Sequence, residues 1–231
     1  MKYTLIKEKE RGLSIIGWLK SKHTFSFGRY YNPERMQFKN LRVINDDIVK
    51  PNYGFDTHGH QNMEIITYVL SGELKHKDSL GNIKSIKANE FQVMSAGTGI
   101  EHSEFNGSKT HDVHFLQIWI KPNMLNIKPN YNQISLEKNI ENDHFLIASN
   151  NTNSPLFINS NADIYVSKYD ENILKKFQSK NGNLFIHLIE GQIKINDQIL
   201  NQGDGISIEN SFHIDIYSLE KSNFLIFDLD I

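Results

Sequence analysis

Two short stretches carry most of the chemistry that this sequence could perform: His58-Gly59-His60 and, about forty residues on, His102-Ser103-Glu104. Side chains at i and i+2 of a β-strand leave the same face, about 6.5 Å apart along the backbone. Each pair can therefore aim at one point, and two such pairs on neighbouring strands can close around one cation. Three nitrogens and one oxygen suit a divalent first-row metal such as Fe, Mn, Co, Ni or Cu, whereas zinc usually settles for four ligands. An ion so held keeps two positions open for water, dioxygen or a chelating substrate. Gly97 and Gly99 would permit the tight turn that aims the second pair. A lone HxH is more often two imidazoles on a wet sheet face; the HxE pair at a compatible distance is what favours ligation.

The elements that must position these residues read as short strands rich in Ile, Val, Phe and Tyr, separated by Gly, Asn and Asp turns. The expected strands are 64–70, 73–78, 83–87, 90–95 and 114–120, then 184–189, 192–196, 205–209, 213–218 and 224–230. Only ENILKKF (171–177) reads as helical, with Ile173, Leu174 and Phe177 on one stripe. Residues 121–160 are rich in Asn and Pro with little period, as expected of a connecting excursion. The segments on either side resemble each other: YVLSGELKHKD…NEFQVMS before it, HLIEGQIKIND…GDGISIE after it. An internal duplication is the economical reading. The pattern predicts an all-β fold of two packed sandwich or barrel domains, one over 1–125 with the metal site and one over 126–231 without it.

At 231 residues, 39% hydrophobic and 23% charged, the chain has material for a packed core. A formal net charge of -2 with no basic cluster gives no general attraction to nucleic acid or to an anionic membrane. The absence of cysteine removes disulfides, thiolate ligands and a Cys nucleophile. No apolar run is long enough to span a bilayer and the N-terminus has no signal-like apolar segment, so a cytoplasmic protein is expected. No GxSxG, P-loop or complete GxGxxG motif is present.

The run THGHQNMEIITYVLSGELKHKDSLGN, followed by FQVMSAGTGIEHSEFN, resembles the metal-binding half of the pirin-like, quercetinase-type bicupin family. KHTFSFGRYYNPE (22–34) resembles that family's N-terminal signature, and the C-terminal half resembles a second, divergent cupin. The resemblance implies His58, His60, His102 and Glu104 as metal ligands, with Fe ahead of Mn, Co, Ni, Cu and Zn. It further implies a dioxygenase that opens a flavonol such as quercetin with dioxygen and releases carbon monoxide, Glu104 acting as general base. The alternative it carries is a regulatory, protein-binding module built on the same ligands, without turnover. A protein partner is not legible in the sequence. Cupins at large take their carboxylate from the position of Glu64; the resemblance favours Glu104 and leaves Glu64 a supporting role.

Aligning Gly191 with Gly72 puts Phe177 and Ser179 where His58 and His60 stand, so one metal per chain is expected. His187 and His213 read as isolated strand residues, and His111 and His114 as turn and strand-entry residues. His23 and His76 have no partner by sequence and are expected near the surface. Phe91, Met94, Phe115, Ile118 and Trp119 are candidates for a pocket wall, with plain core packing the blander role.

Overall fold

Apolar residues at every second position make strands of most of the chain. The computed structural model describes residues 2–136 and 141–230. Among them the one helical element is a 3-10 turn, Glu8–Glu10. In chain order the strands are β1 (Lys2–Ile6), β2 (Gly12–Ile16), β3 (Leu19–His23), β4 (Leu41–Val49), β5 (Gly54–His60), β6 (Glu64–Ser71), β7 (Glu73–Asp78), β8 (Ile83–Lys87), β9 (Glu90–Ser95), β10 (Ile100–Asn106) and β11 (Val113–Ile120). There follow β12 (Asn130–Ser135), β13 (Asp143–Ser149), β14 (Leu156–Phe157), β15 (Ala162–Tyr169), β16 (Leu174–Gln178), β17 (Asn183–Glu190), β18 (Gln192–Ile195), β19 (Gln198–Asn201), β20 (Gly205–Glu209), β21 (His213–Ser218) and β22 (Ser222–Leu229).

The strands form two cupin-type sandwiches, each with a seven-stranded and a four-stranded sheet. The first runs β12-β9-β6-β11-β4-β3-β2 over β5-β10-β7-β8; the second runs β1-β20-β17-β22-β15-β13-β14 over β16-β21-β18-β19. The two orders correspond strand for strand through most of their length. Gly72 (φ 81°) and Gly191 (φ 85°) open equivalent strands in a left-handed conformation that favours glycine. Pairing does not follow a single cut near residue 125. β1 adds to the second sandwich beside β20, and β12 adds to the first beside β9, so each unit is completed by a strand across the sequence boundary.

All ten expected strands are present, with ends displaced by two residues at most. Two expectations are corrected. ENILKKF is not helical: Leu174–Gln178 is β16, with Phe177 buried opposite Ile214 and Leu174 exposed. Pairing with the edge of β21 overrides a weak local helical pattern. The 121–160 stretch is not bare connection, since it carries β12, β13 and β14; its residues 137–140 lie outside the described residues.

Three interiors result. Ile44, Ile66, Tyr68, Phe91 and Ile118 of the first sandwich join Ile164, Val166, Phe185 and Phe227 of the second in one apolar core, so the two seven-stranded sheets pack against each other. The second sandwich closes on its own apolar filling. The first is apolar only at its ends, around Val49, Val69 and Phe115 at one and Ile65, Met94 and Ile100 at the other. On β6 the inward series is Ile65, Thr67, Val69, and on β10 it is Ile100, His102, Glu104. A belt of polar side chains crosses the first sandwich between two apolar plugs.

Candidate metal centre

β10 lies between β5 and β7 in the four-stranded sheet, with His102 opposite His58 on one side and Asp78 on the other. Alternation along β10 buries His102 and Glu104 and exposes Glu101, so HxE presents both side chains inward. The β5–β10 register shifts between His102 and Glu104, a bulge of the kind that re-aims side chains beside functional sites. Gly97 (φ 46°) turns the chain into β10; a Cβ there would meet the Ile127 carbonyl oxygen.

His58, His60 and His102 converge. Their ring centroids lie 4.8, 4.4 and 4.9 Å apart, and His60 Nε2 is 3.0 Å from His102 Nε2. His58 donates Nδ1–H to the Asp56 carbonyl at 2.7 Å, which leaves Nε2 with a free lone pair. Burial pushes His60 down to about 4, helped by the neighbouring His58. Burial likewise pushes His102 down to about 2, with His58, His60 and His76 adding to it. The Nε2 atoms of His60 and His102 face one another, and burial favours the neutral form of both rings, the form in which an imidazole binds a cation. His60 also meets the Trp119 ring edge-on at 4.9 Å, and the Trp119 indole N–H is buried without a partner. A cleft of about 400 Å³, bordered by Gly59, His60, Thr98, Gly99 and Glu101, opens at this end.

Glu104 lies deeper, grouped with His102 and His76 rather than with the two residues of HxH. Thr67 donates to Gln117 Oε1 at 2.9 Å, and Gln117 Nε2 donates to Glu104 Oε2 at 2.9 Å. That relay fixes the amide and aims the carboxylate. Burial pushes the Glu104 carboxyl up to about 7, with the Asp47 carboxylate adding to the effect and the Gln117 bond opposing it. Asp47, on β4, is itself pushed up to about 7 by burial.

The donor set fits a divalent transition metal: three imidazoles within reach of one another, a buried carboxylate next to the third, and an opening for a guest. Glu64 stands elsewhere. The residues between β5 and β6 break the alternation that would have aligned it with His60, and Glu64 bonds Ser95 Oγ at 2.7 Å on the sheet face it shares with Ile66 and Tyr68. His23 and His76 are buried, not near the surface: His23 bonds Asn45 at 2.8 Å, and His76 bonds Asp78 at 3.0 Å beside the site. Of the five pocket candidates, Trp119 borders the cluster, whereas Phe91 and Ile118 belong to the core between the sandwiches. Sequence reasoning missed His76, Asp47 and Gln117. The signal for His76 was present in ELKHKD, where Leu74, His76 and Asp78 alternate with lysines.

The fold and cluster define a two-domain cupin-type protein with a His/Glu group able to hold a metal ion in its first domain. Comparison with known proteins agrees. Residues 6–120 match the pirin family model and residues 146–229 match the quercetinase C-terminal cupin domain. The chain is 39% identical to the quercetin 2,3-dioxygenase of Escherichia coli strain K12 over 97% of both chains. It is 34% identical to a pirin-like protein of Caulobacter vibrioides over 92% of this chain and 93% of that one. The crystal structure of the bacterial pirin YhhW of Escherichia coli in complex with nickel(II) superposes with a TM-score of 0.95, at 39% identity, covering 99% of each chain. The chain belongs to the pirin family. Among the described residues no helix is long and apolar enough to cross a membrane.

Proposed function

We propose that this protein is a metal-dependent dioxygenase of quercetin-like flavonols, holding one divalent transition metal, iron foremost, on His58, His60, His102 and Glu104. The observation that carries this reading is the convergence of three imidazoles from β5 and β10 at an open mouth, with a raised carboxyl behind them. The name of the Escherichia coli relative and the nickel(II) complex of its bacterial pirin support it. Once bound, the metal supplies Lewis acidity toward the 3-hydroxyl and 4-carbonyl of a flavonol.

The remaining work falls to the chain. The cleft beside His60 gives a guest access to the cluster, and the Trp119 ring packs edge-on against His60. Glu104, raised to about 7 and held by Gln117, accepts the proton of the substrate hydroxyl near neutrality. Apolar side chains flank the belt at both ends of the sandwich.

The test is oxygen uptake and carbon monoxide release with quercetin, on protein carrying one equivalent of metal. His102→Ala should abolish both and the metal content together. Full metal loading with no oxygen consumed would instead favour the regulatory alternative.

A further inference from the structure

Deeper in the first sandwich, His76, His102 and Glu104 form a second group whose ligand atoms all lie within 4.8 Å of one another, and all three residues are buried. His76 is 1% exposed, and its Nε2 is 3.0 Å from Asp78 Oδ2. Asp78 also accepts from the Leu80 and Asn82 amides at 3.0 Å and from Asn82 Nδ2 at 2.9 Å. A carboxylate surrounded by donors is an acceptor, so His76 Nε2 carries the proton and Nδ1 is a bare lone pair. That Nδ1 is buried with no hydrogen-bond partner, and so is Nδ1 of His102. Leaving buried ring nitrogens unmatched is costly, and two of them grouped with a buried carboxylate leave a place for a positive charge. A histidine whose outer nitrogen donates to a carboxylate while the inner one stays bare is also the arrangement that orients metal ligands. The Tyr131 ring, 4.8 Å from that of His76, covers this end.

We propose that His76, His102 and Glu104 form an interior position for a divalent transition-metal cation, alternating with the position at the mouth. The inference deepens the reading above and shares His102 and Glu104 with it; His76 is the new ligand. Holding two ions at once would require His102 to give up both ring protons, so one ion per chain is expected, in one place or the other. A metal entering by the mouth passes His58 and His60 first and then has a second set of donors within reach.

His58→Ala/His60→Ala removes the mouth position by altering two residues at the rim. This variant, loaded with Co(II) and desalted, should retain about one equivalent of cobalt and show its visible absorption. Anomalous scattering from its crystals should place the ion between His76, His102 and Glu104. Adding His76→Gln should weaken cobalt binding about tenfold or more. Should that triple variant fail to fold, the position of the anomalous peak decides alone. A folded double variant that binds no cobalt, or a peak from which His76 is remote, overturns the proposal. Cobalt binding by the wild type alone would leave the mouth ligands standing without the interior position.

Discussion

Where His102 stands opposite His58 in the first sandwich, Ile214 stands opposite Phe177 in the second. Glu104 faces His76 in one, and Ile216 faces Ile195 in the other. Gln117 pairs with Thr67, and Ile226 with Ile186. All six counterparts belong to the apolar filling of the second sandwich. The same strand order therefore supports a dry core or a polar belt, and inward side chains decide between them. The belt is the less comfortable choice: Asp47, His76, His102 and Trp119 each keep a buried polar atom without a partner. A fold that can close on isoleucine tolerates such groups where they serve binding.

The largest effect should come from carrying the belt into the wrong barrel. Ile216→Glu puts a carboxyl where nothing corresponds to Gln117 or Thr67, because Ile186 and Ile226 occupy those places. We expect a loss of about 4 kcal/mol or more in urea denaturation, or failure to fold. A loss under about 1 kcal/mol would show that the second interior is wetter than its packing implies.

The reverse exchange should separate binding from stability. His102→Ile imports the side chain of the second barrel and should abolish metal retention, read by elemental analysis. It should also stabilise the metal-free protein by about 1–2 kcal/mol, since an unmatched buried nitrogen is removed. Lost metal with lowered stability would mean that the imidazole packs better than its missing bonds suggest.

These contrasts also show what the sequence disclosed. HxH and HxE were legible because a two-residue repeat on a strand is also a statement about facing, and His58 and His102 are direct cross-strand neighbours. His76 was hidden because lysines on both sides make ELKHKD look solvated, although the lysines face out and the histidine faces in. Gln117 was hidden inside an apolar run, where only its cross-strand partner Thr67 explains it. Glu64 depended on whether alternation survives between β5 and β6, and a break in regular backbone is invisible to periodicity. ENILKKF failed for the opposite reason: its local pattern was real, but a neighbouring strand edge was worth more.

A smaller effect should follow from loosening the belt without emptying it. Gln117→Leu removes the donor to Glu104 Oε2 and the acceptor for Thr67. It should destabilise the metal-free protein by about 1–3 kcal/mol. It should also raise the pH at which metal uptake is half complete, because the Gln117 bond is what holds the Glu104 carboxyl down against burial. An unchanged uptake curve would remove Glu104 from the ligand set.

The smallest effect concerns an imidazole packed against the apolar filling of the second sandwich. His144 bonds Ser167 Oγ at 2.7 Å and Tyr169 Oη at 2.8 Å, and it packs edge-on against Phe177, so both ring nitrogens are matched, unlike those of His102. Burial nevertheless pushes it down to about 4. The unfolded chain takes up this proton near the usual value of about 6.5, while the folded chain refuses it until about 4. Between those values the unfolded state binds more protons, so stability rises with pH and is lost as the solution is acidified from 6.5 toward 4. Below about 4 both states are protonated and the loss stops growing. His144→Gln keeps a polar side chain without a titrating ring, so its stability-versus-pH curve should be shallower than that of the wild type by up to one proton across this window. The metal-free wild type should show a similar dependence through His60, His102 and His187. A cation held as proposed would occupy the mouth imidazoles and not reach His144, so the contribution of His144 should be the same with and without metal. Chemical denaturation at half-unit pH steps, with and without Co(II), measures both; a His144 contribution that changed with cobalt would couple the two barrels through their shared core.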